Sequence, residues 1–201
     1  MKAMKYQAFK RFLDFVLSLL AFCVLSPLLA AVSLAVKLDS KGPVVFRQKR
    51  IGKDKTHFEM LKFRTMRTDT PKDMPTHLLK NPDAFITKVG SFLRKTSLDE
   101  LPQLWNILKG DMSFVGPRPL ISSEIRAHRM RLEYGVYRFR PGLTGLAQIK
   151  GRDSISLMKK MKYDKLYCDN WSIKMDIAIL LQSVGVCIRQ EGFHEGIYHR
   201  R

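Results

Sequence analysis

Residues 97–119 read SLDELPQLWNILKGDMSFVGPRP, and the first six of them decide how the segment folds. Asp99 and Glu100 are sequence neighbours. In a regular helix successive side chains point about 100° apart, so the two carboxylates could not face one target. Pro102 suits the first turn of a helix and disfavours helical geometry at Leu101. The pair is therefore expected at or just before a helix start, where amide N–H groups face incoming anions. Ser97-Leu98-Asp99-Glu100 also fits a capping box, with Ser97 as cap and Glu100 returning to its amide; Pro102 would then fall in the second turn and cost a hydrogen bond. Further on, Arg118 stands between Pro117 and Pro119, which restrict the local backbone. A guanidinium held this way suits bidentate phosphate binding, or else the tying of a loop to a carboxylate.

Outward from this segment the pattern is mixed. Val44 to Ile51 and Thr56 to Phe63 read as strands around the turn Gly52-Lys53-Asp54-Lys55. Residues 67–84 hold Pro71, Pro75 and Pro82 among polar residues, a loop or broken helix. Helical patterns appear at 98–109, 121–134, 154–168 and 173–189, and Pro141 to Gly151, PGLTGLAQIKG, reads as a loop. In 154–168, Leu157, Met161 and Leu166 alternate with Lys159, Lys160, Lys162 and Lys165, which fits either an anionic membrane surface or packing on the core. Residues 177–188 are apolar but too short to span a bilayer, so they are expected in the core or an interface. Trp105 and Trp171 read as core or interface anchors.

Phe15 to Val36 contains no charged residue, enough helix to cross a bilayer. Asp14 at its entrance, Ser26-Pro27 within it and Lys37-Leu38-Asp39 after it speak against a cleaved signal. Lys2, Lys5, Lys10 and Arg11 precede the segment, and Lys37, Lys41, Arg47, Lys49 and Arg50 follow it. Both flanks thus favour the cytoplasmic side, and a hairpin exports neither whereas a straight span must export one. On the residues alone, a helix over 1–40 that enters the membrane, bends at Ser26-Pro27 and returns stands level with a straight span, with 41–201 as the domain that follows.

The 201-residue chain carries a net charge of +18, which predicts an anionic partner: nucleic acid, an acidic membrane or phosphorylated substrates. The basic residues are spread along the chain, which excludes a disordered basic arm. Cys23, Cys168 and Cys187 are an odd set read as reduced thiols, and no His or Cys pair has the spacing of a structural zinc site.

The run GSFLRKTSLDELPQLWNILKGDMSFVGPRP from Gly90 to Pro119, together with PGLTGLAQIKG and the opening Lys10-Arg11-Phe12-Leu13-Asp14, resembles the bacterial sugar transferase family, the monotopic phosphoglycosyl transferases. The likeness runs to Asp176 and is to the small form of the family, the catalytic unit alone, expected to act without the N-terminal multi-span domain of the larger forms. It implies an α/β fold, mostly helical with a small β-hairpin, resting on the cytoplasmic face of the bacterial inner membrane through a re-entrant helix broken at Ser26-Pro27. It also implies an enzyme that moves a sugar-1-phosphate from a UDP-sugar donor to a polyprenyl phosphate acceptor, with inner-membrane phospholipid around it. In the family the aspartate at the position of Asp99 is the nucleophile, and Mg²⁺ is implied with Asp99 among its ligands. Glu100 would act as a base or orient the metal or acceptor. Arg94, Arg118 and Arg152 match family positions that meet phosphate. Lys62 and Arg64, in LKFRTM, would face one anion from the same side of a strand, or form a solvated strand face. Thr144 and Gln148 are candidates for reading nucleotide or sugar, or for plain loop hydrogen bonding. No nucleic-acid partner is expected, and a homo-oligomer is left open. The alternative from a different class is a basic, membrane-anchored binding protein for anionic lipid or nucleic acid, which would tolerate Asp99→Asn.

Overall fold

The computed structural model describes residues 2–70, 84–151 and 154–189. The segment 71–83, most of the proline-containing stretch, lies outside them, as does Arg152. The described chain is mostly helical, with one antiparallel strand pair and one short parallel pair.

Helix α1 (Lys2–Val24) and helix α2 (Ser26–Asp39) meet at Leu25 with a bend of 63°. Pro27 lies in the first turn of α2, where its missing N–H costs no intrahelical bond. Ser26 Oγ donates to the carbonyl of Cys23 at 2.8 Å, satisfying a group that the bend exposes. Among the described residues no single helix is long and apolar enough to cross a membrane, whereas the bent pair passes that test of length and composition together. Its outer surface is apolar: Phe12, Leu20, Val24, Leu34 and Leu38 are all more than half exposed.

The inner face of α1 carries polar side chains that bond to later elements, while Ala21 and Phe22 pack on an apolar cluster. Arg11 donates to the carbonyls of Ile107 and Leu108, both at 2.7 Å. Asp14 accepts from Ser113 Oγ and the Phe114 amide, both at 3.1 Å. Lys10 and Tyr6 both bond Asp176. Each bond reaches an element far along the chain, so α1 is fastened to the body that follows it rather than hanging from it.

Strands β1 (Val45–Ile51) and β2 (His57–Phe63) form the expected hairpin, with Gln48 opposite Met60 and Phe46 opposite Lys62. Its turn places Asp54 and Lys55 at positive φ. Helix α3 (Lys88–Thr96) is capped by Thr87, whose Oγ1 accepts from the Gly90 amide at 3.0 Å. A 3₁₀ turn (Leu98–Glu100) leads into helix α4 (Gln103–Lys109). Strand β3 (Ser113–Val115) runs parallel to strand β4 (Gly142–Thr144); helix α5 (Ile125–Glu133) lies between them in the chain and helix α6 (Leu146–Ile149) follows β4. Helices α7 (Leu157–Asp169) and α8 (Ile173–Arg189) close the described chain.

Four apolar clusters hold these elements. Val32 and Val36 of α2 pack on Phe63 and Leu93; Met60 of β2 packs on Leu104, Ile107 and Met112. Val115, Leu146, Tyr167 and Ile179 join the β3–β4 pair to α7 and α8, and Leu120, Ala127 and Met161 join α5 to α7. Helix α7 therefore turns Met161 inward while Leu166 stays exposed, and α8 buries Ile179 but leaves Leu181 and Val184 outside. Trp171 packs edge-on against Phe139, with ring centroids 5.1 Å apart, and Trp105 lies near Phe22.

Three local expectations need correction. Leu101 is helical (φ −54°, ψ −36°) despite preceding Pro102, because a 3₁₀ turn already carries the chain in that direction. No capping box forms: Ser97 is in the left-handed region at φ 57°, closing α3, and its side chain caps nothing. The stretch read as a loop from Pro141 contains β4 and α6 instead.

Candidate active site

The hairpin supplies the floor of the site. In an antiparallel pair, residues directly opposite share a face, so the register puts Gln48, Arg50, Met60 and Lys62 on one side of the sheet. Met60 packs on α4, which pulls that side toward the acidic pair. Arg47 and Lys49, on the other side, are exposed.

Helix α3 crosses the end of β2 at very close range. Gly90 sits against the backbone of Thr65, and a Cβ there would overlap the Thr65 carbonyl. One turn later Arg94 Nε donates to Thr65 Oγ1 at 2.9 Å. The left-handed residue Ser97 then reverses the chain into the 3₁₀ turn carrying Asp99 and Glu100. A 3₁₀ turn advances about 120° per residue. The two side chains nonetheless reach a common partner, because Lys62 lies between them: its Nζ is 2.7 Å from Glu100 Oε1 and 3.6 Å from Asp99 Oδ2. Both carboxylate residues are only 8 % exposed.

Arg118 comes from the opposite direction. The turn Gly116-Pro117-Arg118-Pro119 leaves β3 and passes against β4 with no room for side chains: a Cβ on Gly116 would meet the Arg140 carbonyl, and one on Gly142 or Gly145 would meet Gly116. Three glycines thus bring two sequence-distant loops together. Arg118 Nη2 donates to Glu100 Oε1 at 3.1 Å, so Glu100 is shared between Lys62 and Arg118. Arg118 keeps 37 % of its side chain exposed.

Burial pushes the Asp99 carboxyl above the ordinary carboxylate range; Lys62 opposes the rise most, Glu100 adds to it, and Arg94 and Arg118 pull it back. The Asp99 charge is therefore held by three cations at close or middle range. A fourth cation, Arg50, stands beside Arg118 and is drawn down to about 10 by burial and by that neighbouring charge. Around two carboxylates there are four cations, a local excess of positive charge that suits a di- or trianionic ligand.

Of the other candidates, Arg64 does not join this cluster. β2 ends at Phe63, and the Arg64 guanidinium turns back to donate to the carbonyls of Val36, Ser40 and Lys41 at the end of α2. The orphan carbonyls of that helix end claim it, so Lys62 and Arg64 do not face a shared anion. Thr144 bonds Ser183 Oγ at 2.6 Å and Gln148 Nε2 donates to the Leu143 carbonyl at 3.0 Å, both within the β4–α6–α8 corner. Gln148 Oε1 is buried without a partner. Arg50 and Gln48 were not singled out from sequence, although strand alternation with Lys62 was a usable signal.

Among the described residues no three His, Cys, Asp or Glu side chains converge as a metal cage. Within this cluster Asp99 and Glu100 offer two hard oxygen ligands that share Lys62. Mg²⁺ usually takes one or two carboxylates and fills its shell with water and substrate phosphate. The pair therefore fits a Mg²⁺ that arrives with a diphosphate.

The family model described as bacterial sugar transferase matches residues 5–190, and the chain belongs to that family. Among its relatives, an "Uncharacterized sugar transferase" of Haemophilus influenzae is 40 % identical over 197 residues, covering 91 % of this chain and 41 % of the relative. A "UDP-glucose:undecaprenyl-phosphate glucose-1-phosphate transferase" of Klebsiella pneumoniae is 44 % identical over 183 residues, covering 88 % and 39 %. The "Exopolysaccharide production protein ExoY" of Sinorhizobium fredii is 38 % identical over 199 residues, covering 92 % and 88 %. The chain thus spans about two fifths of the length of the first two relatives and most of the third.

Proposed function

We propose that this chain is a phosphoglycosyl transferase that moves a sugar-1-phosphate from a UDP-sugar to a polyprenyl phosphate, starting a glycan on its lipid carrier. The observation that carries this reading is the buried Asp99–Glu100 pair set among Lys62, Arg94 and Arg118. Family membership supports it, as do relatives named for transfer of glucose-1-phosphate or galactose to undecaprenyl phosphate.

The chemistry follows from the residue types. Asp99 Oδ attacks the β-phosphorus of the donor; the bond from that phosphorus to the bridging oxygen breaks, and its electron pair leaves on UMP. An acyl phosphate then joins Asp99 to the sugar phosphate. A phosphate oxygen of the polyprenyl carrier attacks the same phosphorus, the acyl–oxygen bond to phosphorus breaks, and the Asp99 carboxylate is restored. Each displacement brings two anions together, so neutralisation by Lys62, Arg94 and Arg118 supplies most of the catalysis. Mg²⁺ bound by Asp99 and Glu100 would supply further charge neutralisation on the diphosphate oxygens. Glu100, held by two cations, keeps both aimed at the donor.

The bent α1–α2 pair is the membrane element in this reading, entering and leaving on the cytoplasmic face of the inner membrane, where donor and carrier meet. Its exposed apolar outer surface, and the polar groups of α1 tied to elements further along the chain, support that placement. A protein built only to bind polyanions has no use for two carboxylates at the centre of its cationic cluster, which disfavours the binding-protein alternative.

The deciding experiment incubates the chain with a panel of UDP-sugars, Mg²⁺ and polyprenyl phosphate in detergent, beside Asp99→Asn. UMP release that needs Asp99 is expected. Release of UDP instead would replace phosphosugar transfer with ordinary glycosyl transfer, and activity retained by Asp99→Asn would remove the covalent step.

A further inference from the structure

Strand β1 carries one basic residue for which the reaction as described has no use. Arg50 is drawn in beside the dyad cluster, whereas Arg47 and Lys49 on either side of Gln48 are exposed. Its Nη1 donates to the Pro119 carbonyl at 3.0 Å and its Nη2 to Gln48 Oε1 at 2.6 Å, while its Nε is buried with no partner. A largely enclosed guanidinium, here half-buried with its Nε fully covered, ordinarily has a carboxylate against it. Among the described residues none lies within ion-pair distance of Arg50; Glu124 and Glu100 act on it only from further away, and Arg118, a like charge, acts more strongly.

A purely structural strut explains this poorly. The segment after Arg118 is already fastened to β1 by the Ile51 amide, which donates to the Leu120 carbonyl at 3.1 Å, and Pro117 and Pro119 restrict its backbone. What Arg50 adds is a fixed point one residue beyond Arg118 and a second positive charge near it. Two guanidiniums held close together repel, and an anion in front of them relieves that repulsion.

We propose that Arg50 is a positioning residue for phosphate capture: by holding the Pro119 carbonyl next to Arg118, it sets Arg118 for the diphosphate of a nucleotide ligand. The nature of that ligand rests on the phosphosugar-transfer reading; the coupling of Arg50 to Arg118 does not.

The test measures UDP and uridine binding by calorimetry and thermal shift, using the full chain in detergent with Asp99→Asn to prevent turnover. Arg50→Met is expected to weaken UDP about tenfold while leaving uridine unchanged, because only the phosphates feel the pair. Gln48→Ala, which keeps the charge but frees the guanidinium, is expected to weaken UDP about threefold. In an Arg118→Met background, Arg50→Met should add less than about twofold, since the two act as one unit. Fully additive losses would overturn the proposal. So would equal losses for UDP and uridine, a lower melting temperature with unchanged UDP affinity, or no UDP binding to the parent protein. UDP binding that depends on both arginines, without UMP release from the unsubstituted enzyme, would sink the transfer reading and leave this coupling intact.

Discussion

Replacing Arg64 with methionine removes the charged end of a side chain whose stem it roughly preserves. The guanidinium makes four hydrogen bonds: to the carbonyls of Val36 (3.1 Å), Ser40 (2.6 Å) and Lys41 (2.8 Å), and to Ser40 Oγ (3.0 Å). Bonds from a charged donor contribute about 1.5–3 kcal/mol where the acceptor stays buried. Only the Val36 contact is fully buried; the other acceptors are partly open and regain water, so about 0.5–1 kcal/mol is lost at each. The total is about 3–6 kcal/mol, which for a chain of this size lowers the melting temperature on the order of 10 °C. Gly42, at φ +124°, lies so close that a Cβ would strike Arg64 Nη1, and Gly42→Ala should lower the melting temperature in the same direction. The assay pairs tryptophan-fluorescence melting in detergent with donor KM measured well below the transition. Arg64→Met should melt early yet keep a KM within about twofold of the parent, as expected of a residue that touches no substrate. A KM raised about tenfold with an unchanged melting temperature would mean that Arg64 meets the donor, and the reasoning from its hydrogen bonds would be refuted.

In the proposed mechanism Asp99 attacks as a carboxylate, and burial holds its carboxyl above the usual range, so the acid limb of kcat/KM should lie at a higher pH than an ordinary aspartate would give. Lys62 is the strongest influence holding Asp99 ionised, so Lys62→Met should move that limb to higher pH; a limb that stays put would contradict the 3.6 Å pair. Gly90→Ala should cost both stability and donor affinity, since an added Cβ forces α3 off Thr65 and carries Arg94 with it; melting and KM together check this. Burial pushes the Cys168 thiol up to about 12. Unfolded, a thiol ionises near about pH 8.5, so the protonated folded form contributes stability that is complete below that pH and lost as the pH rises toward 12. Cys168→Ala should flatten that alkaline decline, and iodoacetamide at neutral pH should label Cys168 only once the chain is unfolded, as peptide mapping would show.

The parts of this molecule legible in the sequence are those where one local force dominates. A four-residue turn between two alternating runs leaves the β1–β2 hairpin little choice of register, and Ser26-Pro27 bends the apolar helix because proline removes a donor while serine replaces an acceptor's partner. The acidic pair before α4 was legible for the same reason, although its entry is a 3₁₀ turn with Leu101 helical rather than extended. Where two remote pieces compete for one side chain, local pattern fails. Arg64 continues the alternation of β2 and so reads as a companion of Lys62, but the open carbonyls of α2 lie nearer than any anion. Strands of three residues carry no period, so β3 and β4 were invisible, and their pairing depends on how closely Gly116, Gly142 and Gly145 approach one another. That approach brings Arg118 to Glu100, and with it the two loops of the family signature to one site. The glycines there therefore do chemical as well as structural service: a side chain on any of them would separate the arginine from the dyad before it disturbed the helices around them.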